Sequence, residues 1–295
     1  MNTAQEHNPT YEHIEATVDG VRLHCVRAGA GSPVVLLHGW PQTWYAWRKV
    51  IPELARHHEV YAVDLPGLGD SASNPRGHGV RAAADLLDAW RAELGLPRVH
   101  IVGHDLGGPI GCTWAAAHSG RVRSVALLAV PLHGFGLTEL IARAGLWHFG
   151  LFAIPGLVEG LAEGRERLLL EHFYGHARES GAIRPADVEV YLRAYTRPGR
   201  LADSLAYYRD VAADTAAIAD LARTGLPMPA LAVGCGQAGG PAPVHSLRQV
   251  APAARGAVID DSGHFLPEER PDRLVELLRP FLAEADAAER GMRAS

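Results

Sequence analysis

A six-residue turn, Gly103-His104-Asp105-Leu106-Gly107-Gly108, limits the folds open to this chain more than any other segment. An apolar run at residues 99–102 precedes the turn, and an apolar stretch at 110–117 follows it. This order predicts a strand, a sharp turn and a helix, a unit that lifts the central side chain of the turn to the top of a sheet. Glycines on both sides of Asp105 leave room for the closely packed backbone of such a turn.

The side chain that this turn presents is the carboxylate of Asp105, where many such turns carry a serine hydroxyl. A carboxylate that attacks carbon forms an alkyl ester, so the sequence points to epoxides or alkyl halides as substrates. An ordinary ester is a poorer substrate for this group, because attack by a carboxylate would yield an anhydride.

Alternating strand and helix patterns predict an α/β protein with a mostly parallel sheet that helices cover on both faces. The strands expected from apolar runs cover residues 12–27 (two strands joined at Asp19-Gly20), 33–37, 59–63, 99–102, 122–130, 230–233 and 256–259. The helices expected from apolar spacing cover residues 44–55, 80–94, 137–144, 165–173, 186–195, 201–222 and 274–282.

Residues 133 to 226 contain only helical patterns, which divides the chain into two parts. We interpret residues 1–132 and 227–295 as the α/β core and residues 133–226 as a helical cap inserted over the site. The tail from residue 284 to 295 is charged and rich in alanine, and we expect it to be solvated.

Composition excludes several classes of function. The net charge of −5, without a basic stripe, argues against a nucleic-acid partner. No apolar run is long enough to cross a membrane and residues 1–10 are polar, so we expect a cytoplasmic protein without a membrane anchor. Cys25, Cys112 and Cys235 are odd in number and far apart, which is untypical of a disulfide framework. The spacing of the sixteen histidines predicts no metal site, and no cofactor is predicted.

Three motifs follow three of the predicted parallel strands. His38-Gly39-Trp40-Pro41 follows the strand at 33–37, the turn around Asp105 follows the next, and Ser262-Gly263-His264-Phe265 follows the strand at 256–259. Loops that leave the carboxyl ends of parallel strands meet at one edge of the sheet. We therefore expect Asp105 and His264 to lie close together, with the nucleophile first and the histidine last in the chain.

These motifs resemble the α/β-hydrolase family, in particular its aspartate-nucleophile branch of epoxide hydrolases and hydrolytic dehalogenases. The resemblance runs from about Ile14 to Leu282 and is closest to Cif-type bacterial epoxide hydrolases. The closer resemblance lies in the segments Leu146-Trp147-His148-Phe149, Glu166-Arg167, Leu170-Glu171-His172-Phe173-Tyr174, Ala194-Tyr195, Leu205-Ala206-Tyr207-Tyr208-Arg209 and Gly263-His264-Phe265-Leu266-Pro267-Glu268-Glu269.

The resemblance implies a role for each matching residue. Asp105 would attack the less hindered carbon of an epoxide, and His264 would activate water to cleave the resulting ester. The backbone N–H groups of Trp40 and Leu106 would form the oxyanion hole. The epoxide oxygen would be hydrogen-bonded by His148 and Tyr208.

Two further details follow from the resemblance. The peptide bond between Trp40 and Pro41 is expected to be cis. Tyr207, next to Tyr208 on the same predicted helix, is the alternative assignment for the ring-opening tyrosine.

The chain departs from the family pattern at the acid that orients the catalytic histidine. Ala129 occupies the first position where relatives place this acid, and Gln237 stands at the second. In serine proteases, neutralising the triad acid lowers kcat on the order of 10⁴-fold. Asp260 or Asp261 is a candidate substitute, although both lie close to His264 in sequence.

Three interpretations of the missing acid stay open: one of these substitutes assists, the ester intermediate accumulates in a slow hydrolase, or the fold performs non-hydrolytic chemistry such as an intramolecular ring closure. We favour the slow hydrolase.

Two other functions remain as alternatives. A dehalogenase would need a cradle for halide or a clamp for a carboxylate, but Leu106 and Pro109 stand where relatives place such groups, and only Trp147 offers an N–H. A catalytically idle protein that binds a small ligand is the second alternative. The apolar cap predicts a small apolar organic substrate, and the Cif-type resemblance suggests a homodimer.

Overall fold

The computed structural model describes residues 11–294 of the 295-residue chain. Residues 1–10, for which the sequence predicts no signal segment, lie outside the described residues. Eight strands are present: β1 (Glu12–Val18), β2 (Val21–Gly29), β3 (Ser32–Leu37), β4 (His58–Val63), β5 (Val99–His104), β6 (Val122–Leu128), β7 (Ala230–Cys235) and β8 (Arg255–Ile259).

Thirteen α-helices accompany these strands in the described residues. They are α1 (Ile51–Leu54), α2 (Val80–Glu93), α3 (Gly107–Ala117), α4 (Leu137–Ala144), α5 (His148–Phe152), α6 (Leu157–Ala162), α7 (Glu166–Glu179), α8 (Pro185–Tyr195), α9 (Arg200–Leu205), α10 (Val211–Thr224), α11 (Ala242–Val250), α12 (Leu266–Glu269) and α13 (Pro271–Ala294). None of the helices in this part of the chain combines the length and apolarity that crossing a bilayer requires.

The eight strands form one mostly parallel sheet in the order β1-β2-β4-β3-β5-β6-β7-β8. The β1–β2 and β2–β4 pairs are antiparallel, and β3 to β8 all run in one direction. The predicted α/β class is confirmed. Because β3, β5 and β8 are parallel, the loops that follow them leave the same edge of the sheet.

The core lies on both faces of this sheet because strand side chains alternate between the two faces. Leu37 and Ile101 pack in the cluster that includes residues of α2 and α3, whereas Leu36 and Val102 pack in the cluster that includes α1 and α13. Every residue of β5 is buried. A strand covered on both faces reads as a continuous apolar run, which is why its position is easy to predict from sequence.

The described residues between β6 and β7 contain no strand, as predicted, and fold into helices α4 to α10, which we call the cap. Buried tyrosines join the cap to the core. Tyr174 donates a hydrogen bond to the carbonyl of Pro41 (2.5 Å), and Tyr195 donates one to the carbonyl of Gln42 (2.8 Å). These bonds hold the loop after β3 against the cap.

Two predicted helices are each divided in the structure. Residues 44–55 form a 3-10 turn (Trp44–Trp47) and the short α1, because Pro52 has no N–H and restarts the helix near its own position. Residues 201–222 were predicted as one helix, yet α9, a 3-10 turn (Ala206–Tyr208) and α10 follow one another there. No proline or glycine marks this second break, so tertiary contacts decide it.

The prediction of a solvated tail is wrong. The final helix was expected at 274–282, but α13 continues to Ala294 and buries Ala285, Asp286 and Glu289 against the rest of the core. The short helices α5, α6, α11 and α12 also lie outside the predicted set. All three cysteines are buried and free.

Candidate active site

Asp105 lies at the tip of the sharp turn between β5 and α3. Its φ of 51° is in the left-handed region, which aspartate tolerates better than most residues. A Cβ at Gly103 would lie 2.1 Å from the carbonyl oxygen of Gly107, and a Cβ at Gly39 would lie 2.2 Å from the Cβ of Asp105. The turn therefore requires glycine at these neighbouring positions, in agreement with the predicted strand–turn–helix unit.

The three loops expected at one edge of the sheet do meet around this carboxylate. One oxygen of Asp105, Oδ1, accepts a hydrogen bond from the backbone N–H of Trp40 at 2.8 Å. The other, Oδ2, lies 3.3 Å from Nε2 of His264. The peptide bond between Trp40 and Pro41 is cis, as the resemblance implied.

Electrostatics couple Asp105 and His264. Burial alone would raise the pKa of the Asp105 carboxyl, but the hydrogen bond and charge of His264 hold this pKa well below its usual range. Burial alone would lower the pKa of His264, but the hydrogen bond and charge of Asp105 raise it above the ordinary 6.5. Each group thus stabilises the charged form of the other.

The cap contributes His148 and Tyr208 to the opposite side of the site. Their rings lie 6.0 Å apart, and both line the cavity that contains Asp105. Burial lowers the pKa of His148 to about 4 and raises the pKa of Tyr208 well above 10, so both side chains are neutral near pH 7. The hydroxyl of Tyr207 instead donates to the carbonyl of Pro66 (2.8 Å), which leaves Tyr208 as the tyrosine in the cavity.

The cavity has a volume of about 270 Å³. This volume is below the roughly 300–1,000 Å³ of most ligand pockets, so the cavity suits a small molecule. Most of its wall is apolar, and no arginine or lysine among residues 11–294 lines it. Leu106 and Pro109 contribute to the wall beside Asp105. Trp147 is 52% exposed and is not among the residues that line the cavity, so its position does not support a halide site. The N–H of Leu106 as an oxyanion donor stays a prediction.

A peptide carbonyl stands where relatives have the orienting acid. The backbone of Ala129, at a left-handed φ of 65°, lies close enough to the ring of His264 to raise its pKa. A carbonyl oxygen beside a ring N–H has this effect because it stabilises the protonated form of the histidine. The carbonyl brings a dipole to the imidazole but no negative charge.

The three suggested acid substitutes do not take this place. The side chains of Gln237, Asp260 and Asp261 are exposed, and Asp261 pairs with Arg270 at 2.8 Å. The backbone of Asp260 packs against Gly236, where a Cβ would lie 2.4 Å from its carbonyl oxygen. Only backbone atoms of Asp260 make this contact. The side chains of Asp260 and Asp261 both face solvent, so the proposal that either assists His264 is wrong.

Sequence reasoning missed Glu269, which holds the loop that carries His264. This buried carboxylate accepts the backbone N–H groups of Gly263 (2.8 Å) and Phe265 (2.9 Å), the two neighbours of His264. Its charge also helps to raise the pKa of His264. The sequence shows only that Glu269 lies in the segment that follows His264. It does not show that the carboxylate of Glu269 folds back to the backbone on either side of His264.

Two groups of side chains have metal-like spacing in the described residues: His58, His100 and Asp286, and His24, Asp64 and Asp70. In the first group the guanidinium of Arg123 already lies 2.7 Å from Asp286. In the second, Asp64 accepts two backbone N–H bonds and pairs with His24 at 2.7 Å. These bonds within the protein account for both groups without an ion.

Comparison with known proteins adds four findings. Residues 32–271 match the family model of the alpha/beta hydrolase fold. A soluble epoxide hydrolase of Corynebacterium sp. is 31% identical, over 92% of this chain and 97% of that protein. A fluoroacetate dehalogenase of Burkholderia sp. is 32% identical, over 93% of this chain and 95% of that protein. The crystal structure of Cfl2 from Burkholderia cenocepacia has a TM-score of 0.85 and 36% identity, over 92% of this chain and 95% of that one.

Proposed function

This chain belongs to the α/β hydrolase family, and from that premise we propose that it hydrolyses small epoxides through a covalent ester on Asp105. The observation that carries the proposal is the position of one carboxylate at the base of an apolar cavity, opposite two neutral hydrogen-bond donors, His148 and Tyr208. Similarity to an epoxide hydrolase over nearly the whole chain supports it.

In the first step, a carboxylate oxygen of Asp105 attacks a ring carbon of the epoxide. The new bond is the ester C–O bond, and the bond that breaks joins that carbon to the epoxide oxygen. The departing oxygen becomes an alkoxide, which is a strong base and needs a proton. Tyr208 and His148 are suited to supply it, because burial keeps both in a neutral form that can donate.

Formation of the ester changes the state of His264. The negative charge of Asp105, which raises the pKa of His264 in the free site, disappears when the carboxylate is alkylated. Burial then favours the neutral ring, and a ring whose N–H donates to the Ala129 carbonyl keeps its other nitrogen free to accept a proton. Alkylation thereby converts His264 from a cation into a base, and the proton that His264 loses replaces the one that Tyr208 or His148 gave to the alkoxide.

In the second step, His264 takes a proton from water, and the water oxygen attacks the carbonyl carbon of the ester. The tetrahedral oxyanion would be stabilised by the backbone N–H of Trp40, which already binds Asp105, and by that of Leu106. Collapse of this intermediate releases the diol and restores the carboxylate. The sum of both steps is epoxide plus water giving one diol.

We expect the second step to limit turnover. The imidazolium that forms during water attack is stabilised in related triads by a carboxylate, and here by the dipole of the Ala129 carbonyl. The first step does not need this acid. The alkyl ester should therefore accumulate.

Intact-mass spectrometry of the protein mixed with a small terminal epoxide tests the proposal. We expect a mass increase equal to the epoxide, followed by slow diol release. His264→Gln should keep the adduct, Asp105→Asn should form none, and His172→Gln, an exposed histidine outside the cavity lining, should behave as the parent protein. Absence of both adduct and diol would refute the proposal.

Dehalogenation is the second candidate, because a fluoroacetate dehalogenase is a relative of similar identity. Its substrate carries a carboxylate, however, and no arginine or lysine among the described residues lines the cavity. Halide release from fluoroacetate or a bromoalkane, measured beside diol formation, separates the two reactions.

A further inference from the structure

His133 is a buried polar side chain of the cavity to which the proposed reaction assigns no role. It follows β6 and precedes α4, is 8% exposed, and lines the same cavity as Asp105. Its Nδ1 has no hydrogen-bond partner in the part of the chain that the structure describes and is shielded from solvent, so other atoms of its ring form the wall of the cavity. A histidine ring at the wall of an apolar cavity favours a ligand that forms a hydrogen bond with it.

The other polar groups of the cavity are already engaged. The indole N–H of Trp40 donates to Ser204 at 3.1 Å, and Asp105 is bound by Trp40 and His264. His148 and Tyr208 face the position proposed for the epoxide oxygen. His133 is thus available to contact a different part of the substrate.

The neutral state of the His133 ring limits the chemical groups that it can bind. Burial lowers the pKa of His133 to about 4, so its ring is neutral near pH 7 and offers one N–H donor and one lone pair. A hydroxyl group can both donate and accept, which matches this ring. An anionic group matches poorly, because Asp105 is negative and no arginine or lysine of residues 11–294 lines the cavity.

We propose that His133 binds a hydroxyl group of the substrate remote from the epoxide ring, so that the favoured substrates are small hydroxylated epoxides. This inference rests on the proposed epoxide chemistry of Asp105. It makes His133 a specificity-determining residue, since its contact lies away from the bonds that change.

Matched pairs of substrates test the inference. Each pair comprises a terminal epoxide and the same carbon chain with a hydroxyl group, and the position of the hydroxyl is varied along the series. We expect a preference in kcat/KM for the hydroxylated member of about three- to tenfold at one position, the factor of a single neutral hydrogen bond. His133→Leu should abolish the preference, chiefly by raising KM for the hydroxylated member of the pair.

Two control variants keep this test decisive. His133→Asn keeps a donor and an acceptor and should retain part of the preference, whereas His172→Leu makes the same kind of change outside the cavity lining and should leave it intact. A wild-type protein without preference at any position, or a His133→Leu variant that loses both substrates of a pair equally while remaining folded by circular dichroism, would overturn the inference.

Binding to an unreactive protein separates failure of the inference from failure of the chemistry. In Asp105→Asn, calorimetry compares alkane-1,2-diols with the corresponding triols. Tighter binding of one triol, lost on adding His133→Leu, supports the hydroxyl site even if no epoxide reacts. Equal binding of diols and triols overturns it even if epoxides are hydrolysed.

Discussion

Two histidine–aspartate pairs lie at opposite ends of the parallel strands, and their surroundings differ. At the amino ends, Asp286 of α13 contacts His100 of β5 (3.1 Å) and Arg123 of β6 (2.7 Å), and accepts a hydrogen bond from Ser32 of β3 (2.5 Å). The other ring nitrogen of His100 bonds to Ser124. This pair is buried and fully hydrogen-bonded, and it joins the last helix to three strands.

At the carboxyl ends, the pair of Asp105 and His264 opens onto a cavity and lacks a second carboxylate at the imidazole. Nearby, His133 has no partner among the described residues. The comparison indicates that the same residue types stabilise the fold where every polar atom is paired, and serve a ligand where pairing is incomplete. Four experiments test this division, in order of decreasing expected effect.

Asp105→Asn should have the largest effect of the four, and this effect should be on epoxide turnover. Removing a nucleophile lowers turnover by about 10⁴-fold or more. The melting temperature above neutral pH should change little, because the charge pairing with His264 contributes less there and the amide keeps the shape of the carboxylate and its contact with the Trp40 N–H. Epoxide turnover and thermal unfolding measured on the same sample check this. Comparable losses of turnover in Asp105→Asn and in Asp286→Ala would contradict the division.

Asp286→Ala should show the converse. Loss of this carboxylate leaves His100 without its buried anionic partner and leaves Arg123 paired with Glu289 alone (2.7 Å), which should lower the free energy of unfolding by about 3 kcal/mol. Turnover per folded molecule should stay within about twofold of wild type, since the pair lies at the other end of the sheet. Urea denaturation gives the stability, with Asp261→Ala as an exposed control.

Ala129→Asp should make the site resemble a complete triad. The left-handed backbone at Ala129 accommodates aspartate, whose carboxylate would lie beside His264. We expect hydrolysis of the ester to accelerate at least about tenfold, with a ceiling on the order of 10⁴. Decay of the adduct is followed by mass spectrometry. Ala129→Asn, of equal shape but without charge, is the control, and an equal acceleration in both variants would contradict the electrostatic explanation.

The smallest effect is a difference in pH dependence. Burial, with a further contribution from His100, lowers the pKa of His58 to about 4, so the unfolded chain binds a proton between pH 6.5 and 4 that the native protein does not. The contribution of His58 should therefore reduce stability as the pH falls through this window. His58→Asn should flatten the decline seen in urea denaturation.

The Asp105–His264 pair has the opposite dependence on pH. The raised pKa of His264 contributes stability that is complete below pH 6.5 and is lost as the pH rises through the native value. The lowered pKa of Asp105 contributes stability above about pH 4. The stability difference between wild type and Asp105→Asn should thus be largest between about pH 4 and 6.5 and decrease above neutrality.

Local sequence patterns were enough to predict the sheet and the position of Asp105 in its sharp turn. The buried run of β5, the glycines around Asp105 and the order of the three motifs each depend on neighbours within a few residues. The parallel direction of β3, β5 and β8 then follows from the alternation of strands and helices. The break near Tyr208 and the extension of α13 depend on distant contacts, and both were predicted wrongly.

By itself, the sequence determined the α/β architecture, the helical insertion and the strained turn that presents Asp105, because these arise from spacing and from residue conformation. Only the tertiary structure decided which tyrosine faces the cavity, that a peptide carbonyl approaches His264, that Glu269 holds its loop, and that His133 is unpaired among the described residues. These features are contacts between groups far apart in the chain, as for His100 and Asp286, which are separated by 186 residues. Burial and hydrogen bonding at such sites depend on how whole elements pack, and no short segment encodes them.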